Sequence, residues 1–253
     1  MSASVIRIRL DQLLHEKGFF ESREKAQRSI LAGQVFVDGK PITKVGTKIP
    51  ITSLLTLSQR ERYVSRGGHK LEGALKGFSI NPEGLNCLDL GSSTGGFTDC
   101  LLQHGAKKVT GIDVGTGQLA WSLRQHPLVE IREGINARYL QPSDFTELFD
   151  LIVGDLSFIS LTRILPAAFS LVKPEGCLIV LIKPQFELSR KEVARGGIVR
   201  DPLLRQKAVD SIRLWVENEG YYFEQVMESP LPGMTGNIEF LALLRPSSNI
   251  SSM

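Results

Sequence analysis

At 253 residues, with 42% hydrophobic and 23% charged content, the chain has an ordinary globular composition and room for one large domain plus a small one. No run approaches the roughly 18 to 20 apolar residues that span a bilayer, and the opening MSASVIRIRLDQLL lacks the apolar core of a secretion signal, so a cytoplasmic protein without a membrane partner is expected. The three scattered cysteines, Cys87, Cys100 and Cys177, show no C-x-x-C spacing, which argues against zinc or a disulfide framework and leaves no metal expected.

The net charge of +3 hides an asymmetry. Residues 1–76 hold 14 Lys and Arg against 7 Asp and Glu, whereas residues 77–253 hold 16 against 20. A basic amino-terminal part on a mildly acidic body suggests a polyanionic partner; a merely solvated face is the plainer alternative.

In chain order, residues 5–60 read as a compact α/β module, and 1–60 is taken as the first domain. After Arg7 and Arg9, the spacing of Leu10, Leu13 and Leu14 predicts a helix that Gly18 ends. Ser22 fits the N-cap of a second helix, Arg23–Leu31, with Ala26, Ile30 and Leu31 inward and Arg23, Lys25 and Arg28 towards the polar side. Gly33 ends it. The run VFVDGKPI, residues 35–42, reads as a hairpin with a D-G turn, and Pro41 makes its second strand an edge. The segments RLDQLL and SREKAQRSILAGQVFVDGKPITKVGTKI, together Arg9 to Ile49, resemble the S4 RNA-binding domain. That resemblance implies that Arg9, Arg23, Arg28, Lys40 and Lys44 face structured RNA, largely through phosphate contacts.

Next comes QRERYVSRGGHK, residues 59–70, whose Gly-Gly pair in polar surroundings predicts an interdomain linker over 61–70. A plain linker needs neither Arg66 nor Lys70, and Arg66 joins the candidate RNA contacts, with solubilising charge as the alternative. Leu71–Leu75 continue as a short helix, and 71–246 is taken as the second domain, followed by a frayed tail over 247–253.

The second domain opens on NCLDLGSSTGGFTD, residues 86–99: an apolar strand, a glycine turn and a helix start. This is the nucleotide-binding corner of a doubly wound α/β domain. The spacing Gly91, then Gly95 and Gly96, departs from G-x-G-x-x-G, so an adenosine ligand without a pyrophosphate fits better, and S-adenosylmethionine is the commonest one. Gly91, Ser92, Gly95, Gly96 and Phe97 are candidates for its methionine and ribose side, and Asp89 for its amine, with bonding of the turn backbone as the alternative for Asp89. The next β-run, KVTGIDV, ends in Asp113 and Val114, about twenty residues past the turn, where a carboxylate accepts from both ribose hydroxyls. Asn136, in EGINAR, is a candidate for the adenine edge or a plain turn residue. Further strands are predicted at 128–132, 151–155, 177–182, 221–226 and 238–244, with a helix over 205–218.

Three charges interrupt the apolar strand ends: Asp155 in DLIVGDLSFIS, Lys183 in CLIVLIKPQF and Glu239 in GNIEFLALL. They converge at one rim if the last strand runs antiparallel to the rest; a rim salt bridge of Asp155 with Lys183 is the alternative. Here the domain resembles the FtsJ-type Rossmann-like methyltransferases, which share a Lys-Asp-Lys-Glu tetrad, and the motifs VSRGGHKLEGAL, LDLGSSTGGFTDCLL, GDLSFISL and IKPQFE make the whole chain resemble the TlyA family, also labelled haemolysin A.

The resemblance implies a mostly parallel seven-stranded sheet with its last strand antiparallel. It places the catalytic tetrad on Lys70, Asp155, Lys183 and Glu239, with Asp155 also beside the cofactor. The implied reaction is S-adenosylmethionine-dependent 2′-O-methylation of cytidine in ribosomal RNA. Its implied substrate is the large (50S) subunit with its 23S rRNA; whether the small (30S) subunit and 16S rRNA also serve stays open. Lys183 would act as base beside Lys70, and Phe186 would flank the ribose or simply pack. Residues 190–200 read as a mobile substrate-side loop, and 233–237 as a similar loop just before Glu239. Competing readings are a non-catalytic RNA-binding assembly factor, a cytolysin that no segment supports, and a nicotinamide dehydrogenase that the glycine spacing disfavours.

Overall fold

The computed structural model describes residues 6–58, 62–194 and 196–247. The chain divides into two compact units, Met1–Glu61 and Arg62–Met253. In the first, β1 (Arg7–Arg9) leads into α1 (Leu10–Glu16) and α2 (Arg23–Leu31). The hairpin β2 (Val35–Val37) and β3 (Lys40–Pro41) follows, then β4 (Lys48–Pro50) and β5 (Leu55–Leu57). β1 pairs antiparallel with β4, and β3-β2-β5 form a three-stranded sheet with the Pro41 strand at its edge. Ser22 caps α2 by accepting the Lys25 N–H at 3.3 Å. Asp38 and Gly39 both adopt positive φ, 50° and 78°, the pair of left-handed residues a type I′ hairpin turn needs. Leu10, Leu13, Leu14, Ala26, Ile30 and Val35 form the core. Leu31, expected inward, is 66% exposed: five residues past Ala26, it lies about 140° away around the helix.

The second unit begins with α3 (Gly67–Gly77). There follow β6 (Asn86–Leu90), α4 (Gly96–Gln103), β7 (Lys108–Asp113), α5 (Trp121–Arg124), β8 (Val129–Glu133) and β9 (Phe149–Gly154). The unit is completed by α6 (Leu165–Leu171), β10 (Val172–Ile182), α7 (Pro184–Glu187), α8 (Pro202–Asn218), β11 (Tyr222–Glu228) and β12 (Phe240–Arg245). The strands form one seven-stranded sheet in the order β11-β12-β10-β9-β6-β7-β8. β6 to β10 are mutually parallel, and β12 runs antiparallel to both its neighbours.

Alternation along the strands sorts the core into two layers. Leu88, Leu90, Ile152, Leu178, Val180 and Ala242 face Leu165 and Phe169 of α6 and Ile212 and Val216 of α8. Cys87, Leu151, Val153, Ile179, Leu181 and Leu243 face Leu71 and Leu75 of α3 and Cys100 and Leu101 of α4.

The expected linker over 61–70 is corrected by this packing. Residues 62–70 belong to the second unit: Tyr63 is buried in its core and Gly67 already starts α3. The Gly-Gly pair is a packing device, because a Cβ on Gly68 would overlap the Tyr63 ring. Residue 61 and, of the expected frayed tail, residues 248–253 lie outside the described residues, as does Arg195 of the 190–200 segment.

Candidate active site

The glycine corner forms where β6 ends. Gly91 (φ +82°) lets the turn pass the end of β9, where a Cβ would meet Asp155 O at 3.0 Å. Gly95 (φ +95°) leads into α4; a Cβ there would overlap Leu123 and stand 2.8 Å from Leu119. On Gly96 it would overlap Ser65 and lie 2.9 Å from Gly68 N, so α3 and α4 meet through glycine backbone.

The other residues expected at the cofactor are distributed unevenly. Asp89 is fully buried and accepts the Thr98 hydroxyl at 2.6 Å on one oxygen, while its other oxygen has no partner. Burial pushes this carboxyl up to about 7, against the lowering by Thr98. The buried Ser92 hydroxyl is likewise unpartnered. Asp113 receives the N–H groups of Ser93 at 2.8 Å and Gly115 at 2.7 Å, which fixes the carboxylate at the end of β7. Val114 is exposed beside it. Asn136 is exposed, and its side-chain oxygen caps the following turn by accepting Arg138 N–H at 3.0 Å, leaving the amide NH2 as its outward group. Phe97 points into the core beneath α3 and α4, so only its backbone can serve a pocket at the turn.

The four charged candidates meet at the same rim as two ion pairs. Antiparallel pairing of β10 and β12 sets Ile182 opposite Phe240, bringing the next residue on β10, Lys183, beside Glu239. Parallel pairing of β9 and β10 brings Asp155 alongside. Lys70, from α3, reaches across to Glu239 at 2.6 Å, with side chains only 9% and 4% exposed. Lys183 Nζ lies 2.6 Å from Asp155 Oδ1 and donates a hydrogen bond to Ser157 Oγ at 2.7 Å. Gly233 packs against Glu239, where a Cβ would overlap the carboxylate.

Ser157, Phe158 and Glu187 stand within GDLSFISL and IKPQFE, where no local pattern gives them a role. Glu187 accepts Ser160 Oγ at 2.6 Å and Leu161 N at 2.9 Å, tying the loop after β9 to α7; burial raises its carboxyl above the usual range. Phe158 is 91% exposed, in a left-handed conformation (φ 65°), with its ring 5.3 Å from that of Phe186. A phenylalanine held open to water at that strain is a signal that a sequence does not carry. Arg66 is exposed and donates to Pro232 O at 3.1 Å within the second unit.

In the first unit, two of the residues expected to meet RNA, Arg9 and Arg23, share one buried acceptor. Asp11, fully buried, accepts Arg9 at 2.9 and 3.1 Å, Arg23 at 2.9 Å and Gln27 at 2.8 Å. The bond from Arg9 is the largest cause that holds this carboxyl far below the usual range. Both guanidinium groups remain nearly half exposed. Arg28, Lys40 and Lys44 are exposed as well.

A seven-stranded sheet with β12 reversed, a glycine corner and a lysine–carboxylate rim defines a Rossmann-like methyltransferase domain. Residues 63–245 match the FtsJ-like methyltransferase family, and residues 8–52 match the S4 domain. The chain is 44% identical over 245 residues to the 16S/23S rRNA (cytidine-2′-O)-methyltransferase TlyA of Mycobacterium tuberculosis, covering 96% of this chain and 91% of that one. It is 45% identical over 236 residues to Hemolysin A of Brachyspira hyodysenteriae, covering 93% and 98%. A solved structure described as a hemolysin from Streptococcus thermophilus superposes with a TM-score of 0.74 at 42% identity, covering 97% of this chain and 90% of that chain. The chain belongs to the TlyA family of FtsJ-like methyltransferases.

Proposed function

We propose that this protein methylates the ribose 2′-hydroxyl of a cytidine in ribosomal RNA of the large subunit, using S-adenosylmethionine. The observation that carries the reading is the convergence of Lys70–Glu239 and Lys183–Asp155 beside the glycine corner, since an RNA 2′-hydroxyl needs a base at the point of attack. Two buried, unpartnered oxygens, on Asp89 and Ser92, are what a ligand carrying an amine and hydroxyls would satisfy. When bound, S-adenosylmethionine supplies the methyl group.

Asp89 would receive the cofactor's amine, Asp113 its ribose hydroxyls, and the backbone of Gly91, Gly95, Gly96 and Phe97 would border it, with Val114 and the Asn136 amide at the adenine end. Lys183 would take the 2′-hydroxyl proton as the oxygen attacks. Asp155 balances its charge, and the Lys70–Glu239 pair holds the ribose in line. The exposed Phe158 and the neighbouring Phe186 offer a face for a nucleobase drawn out of its stack. In the first unit, Arg9, Arg23, Arg28, Lys40 and Lys44 would hold folded RNA by its phosphates, and Arg66, although it anchors Pro232, has hydrogen-bonding capacity left for RNA.

The test is to map 2′-O-methyl sites on isolated 50S and 30S subunits incubated with wild-type protein and with Lys183→Ala. A new cytidine mark in 23S rRNA, absent with Lys183→Ala while cofactor binding persists, is the expected result. Normal turnover by that variant would sink the assignment, and a mark in 16S rRNA would extend the substrate to the small subunit.

A further inference from the structure

We infer that Ser157 is a positioning residue that aims the Lys183 amine at the acceptor hydroxyl; this rests on the proposed methyltransferase reading. Two groups approach Lys183 Nζ at nearly equal distance, and they differ in kind. Asp155 Oδ1 stands 2.6 Å away, yet that oxygen receives no hydrogen bond. It meets the amine off the hydrogen-bonding directions, as a charge contact. The directed hydrogen bond of the amine goes to Ser157 Oγ at 2.7 Å.

The distinction matters because a lysine amine is a rotor. A point charge such as the Asp155 carboxylate holds the nitrogen near it without fixing how the amine turns about the Cε–Nζ bond. A hydrogen bond constrains that torsion. With one N–H pinned on Ser157, the remaining tetrahedral directions are set. In the neutral amine one of them is the lone pair that must meet the 2′-hydroxyl proton. Proton transfer of this kind is efficient only with the base aligned, and the orientation is worth more than the contact.

The loop that carries Ser157 is itself fastened. Two residues beyond Phe158, Ser160 and then Leu161 are held by Glu187 of α7, four residues after Lys183. Phe158 stands against Phe186 on the same helix. Ser157 and Lys183 are therefore tied through two bonds and a ring contact downstream of each, which keeps the hydroxyl at a fixed distance from the amine. Ser157 is exposed whereas Lys183 is buried, so the serine supports no core of its own.

The step balances simply. The 2′-oxygen forms its bond to the methyl carbon as the sulfur–methyl bond breaks towards sulfur, and the hydroxyl proton passes to Lys183 Nζ. Ser157 exchanges neither proton nor electron pair and acts only through the direction it imposes.

The experiment uses full-length wild-type protein, Ser157→Ala, Ser157→Thr and Lys183→Ala, with isolated ribosomal subunits and methyl-labelled S-adenosylmethionine. Ser157→Ala should lower kcat by roughly 10- to 100-fold, with KM for both substrates within about twofold of wild type. Ser157→Thr, which keeps the hydroxyl, should return kcat to within about threefold. Unchanged kcat in Ser157→Ala, a raised KM with normal kcat, or equal loss in alanine and threonine variants would each overturn the inference. If wild type itself leaves no methyl mark, or Lys183→Ala turns over normally, the functional reading fails first. If wild type is active and Lys183→Ala is dead while Ser157→Ala is normal, only the role of Ser157 falls.

Discussion

Replacing Lys70 by methionine keeps an unbranched side chain, one atom shorter, and removes its charge from a pair that is almost wholly enclosed. Glu239 would then lose its ion-pair partner in the same pocket, with Gly233 packed against the carboxylate. Breaking a buried pair from one side costs about 3 to 5 kcal/mol, and with exposures of 9% and 4% solvent screening gives little relief here. For a unit of this size each kcal/mol moves the melting temperature by roughly 2 to 4 °C, so the variant should melt roughly 6 to 20 °C lower. The companion variant Lys70→Met with Glu239→Gln removes both charges and should recover more than half of that loss. It should still fail to methylate, since the pair proposed to hold the ribose is gone. Thermal unfolding of wild type, both single variants and the double variant closes a thermodynamic cycle, with methyl transfer to 50S subunits measured alongside. A loss below about 1 kcal/mol in Lys70→Met, the scale of an exposed ion pair, or a double variant no more stable than the single, would refute the buried-pair reasoning.

Gly96→Ala should destabilise the second unit by about 1 to 3 kcal/mol and abolish cofactor binding in calorimetry; its Cβ has nowhere to go but into Ser65 and the Gly68 backbone. Asp11→Asn releases Arg9 and Arg23 from their common acceptor, so RNA affinity should fall about tenfold and the plot of log K against log salt should become shallower by about one phosphate contact. An unchanged slope would show that the two arginines do not meet phosphate. Asp89 sets a pH dependence of opposite sign to that of a salt-bridged acid. The unfolded chain releases this proton near 3.8 and the cofactor-free folded protein near 7, so folding stability declines as pH rises from about 4 to about 7 and is level above, by roughly 4 kcal/mol in all. Urea titrations at pH 5 and pH 8 should show the decline in wild type and its disappearance in Asp89→Asn.

Much of this protein follows from local rules that a sequence carries. Gly91, Gly95 and Gly96 after an apolar strand announce a turn that needs left-handed backbone and close approach, and the structure has that turn. Ser22, Gly33 and the Asp38-Gly39 pair mark helix ends and a hairpin through effects spanning a few residues. The unbroken apolar run of β10 is what a strand covered on both faces requires. Asp155, Lys183 and Glu239 are readable as candidates because a charge at the edge of an apolar run stands out, whereas Lys70 enters only through the family resemblance.

What those charges do to one another was decided only by tertiary structure. Lys70 and Glu239 are 169 residues apart and meet because β12 inserts antiparallel between β10 and β11 while α3 packs across the sheet. Chain-distant pairing has no local signal. The Gly67-Gly68 pair shows the converse: its sequence suits a hinge as well as a close helix contact, and the ring of Tyr63 decides for the contact. Ser157 and Phe158 followed Asp155 in plain view, but a hydroxyl's partner and a strained, exposed ring exist only once the loop is folded against α7. Sequence determined which residue types stand at the rim, because helix, strand and turn preferences act within a few residues. The tertiary fold determined which pairs they form, because those pairs depend on strand register and helix packing over the whole domain.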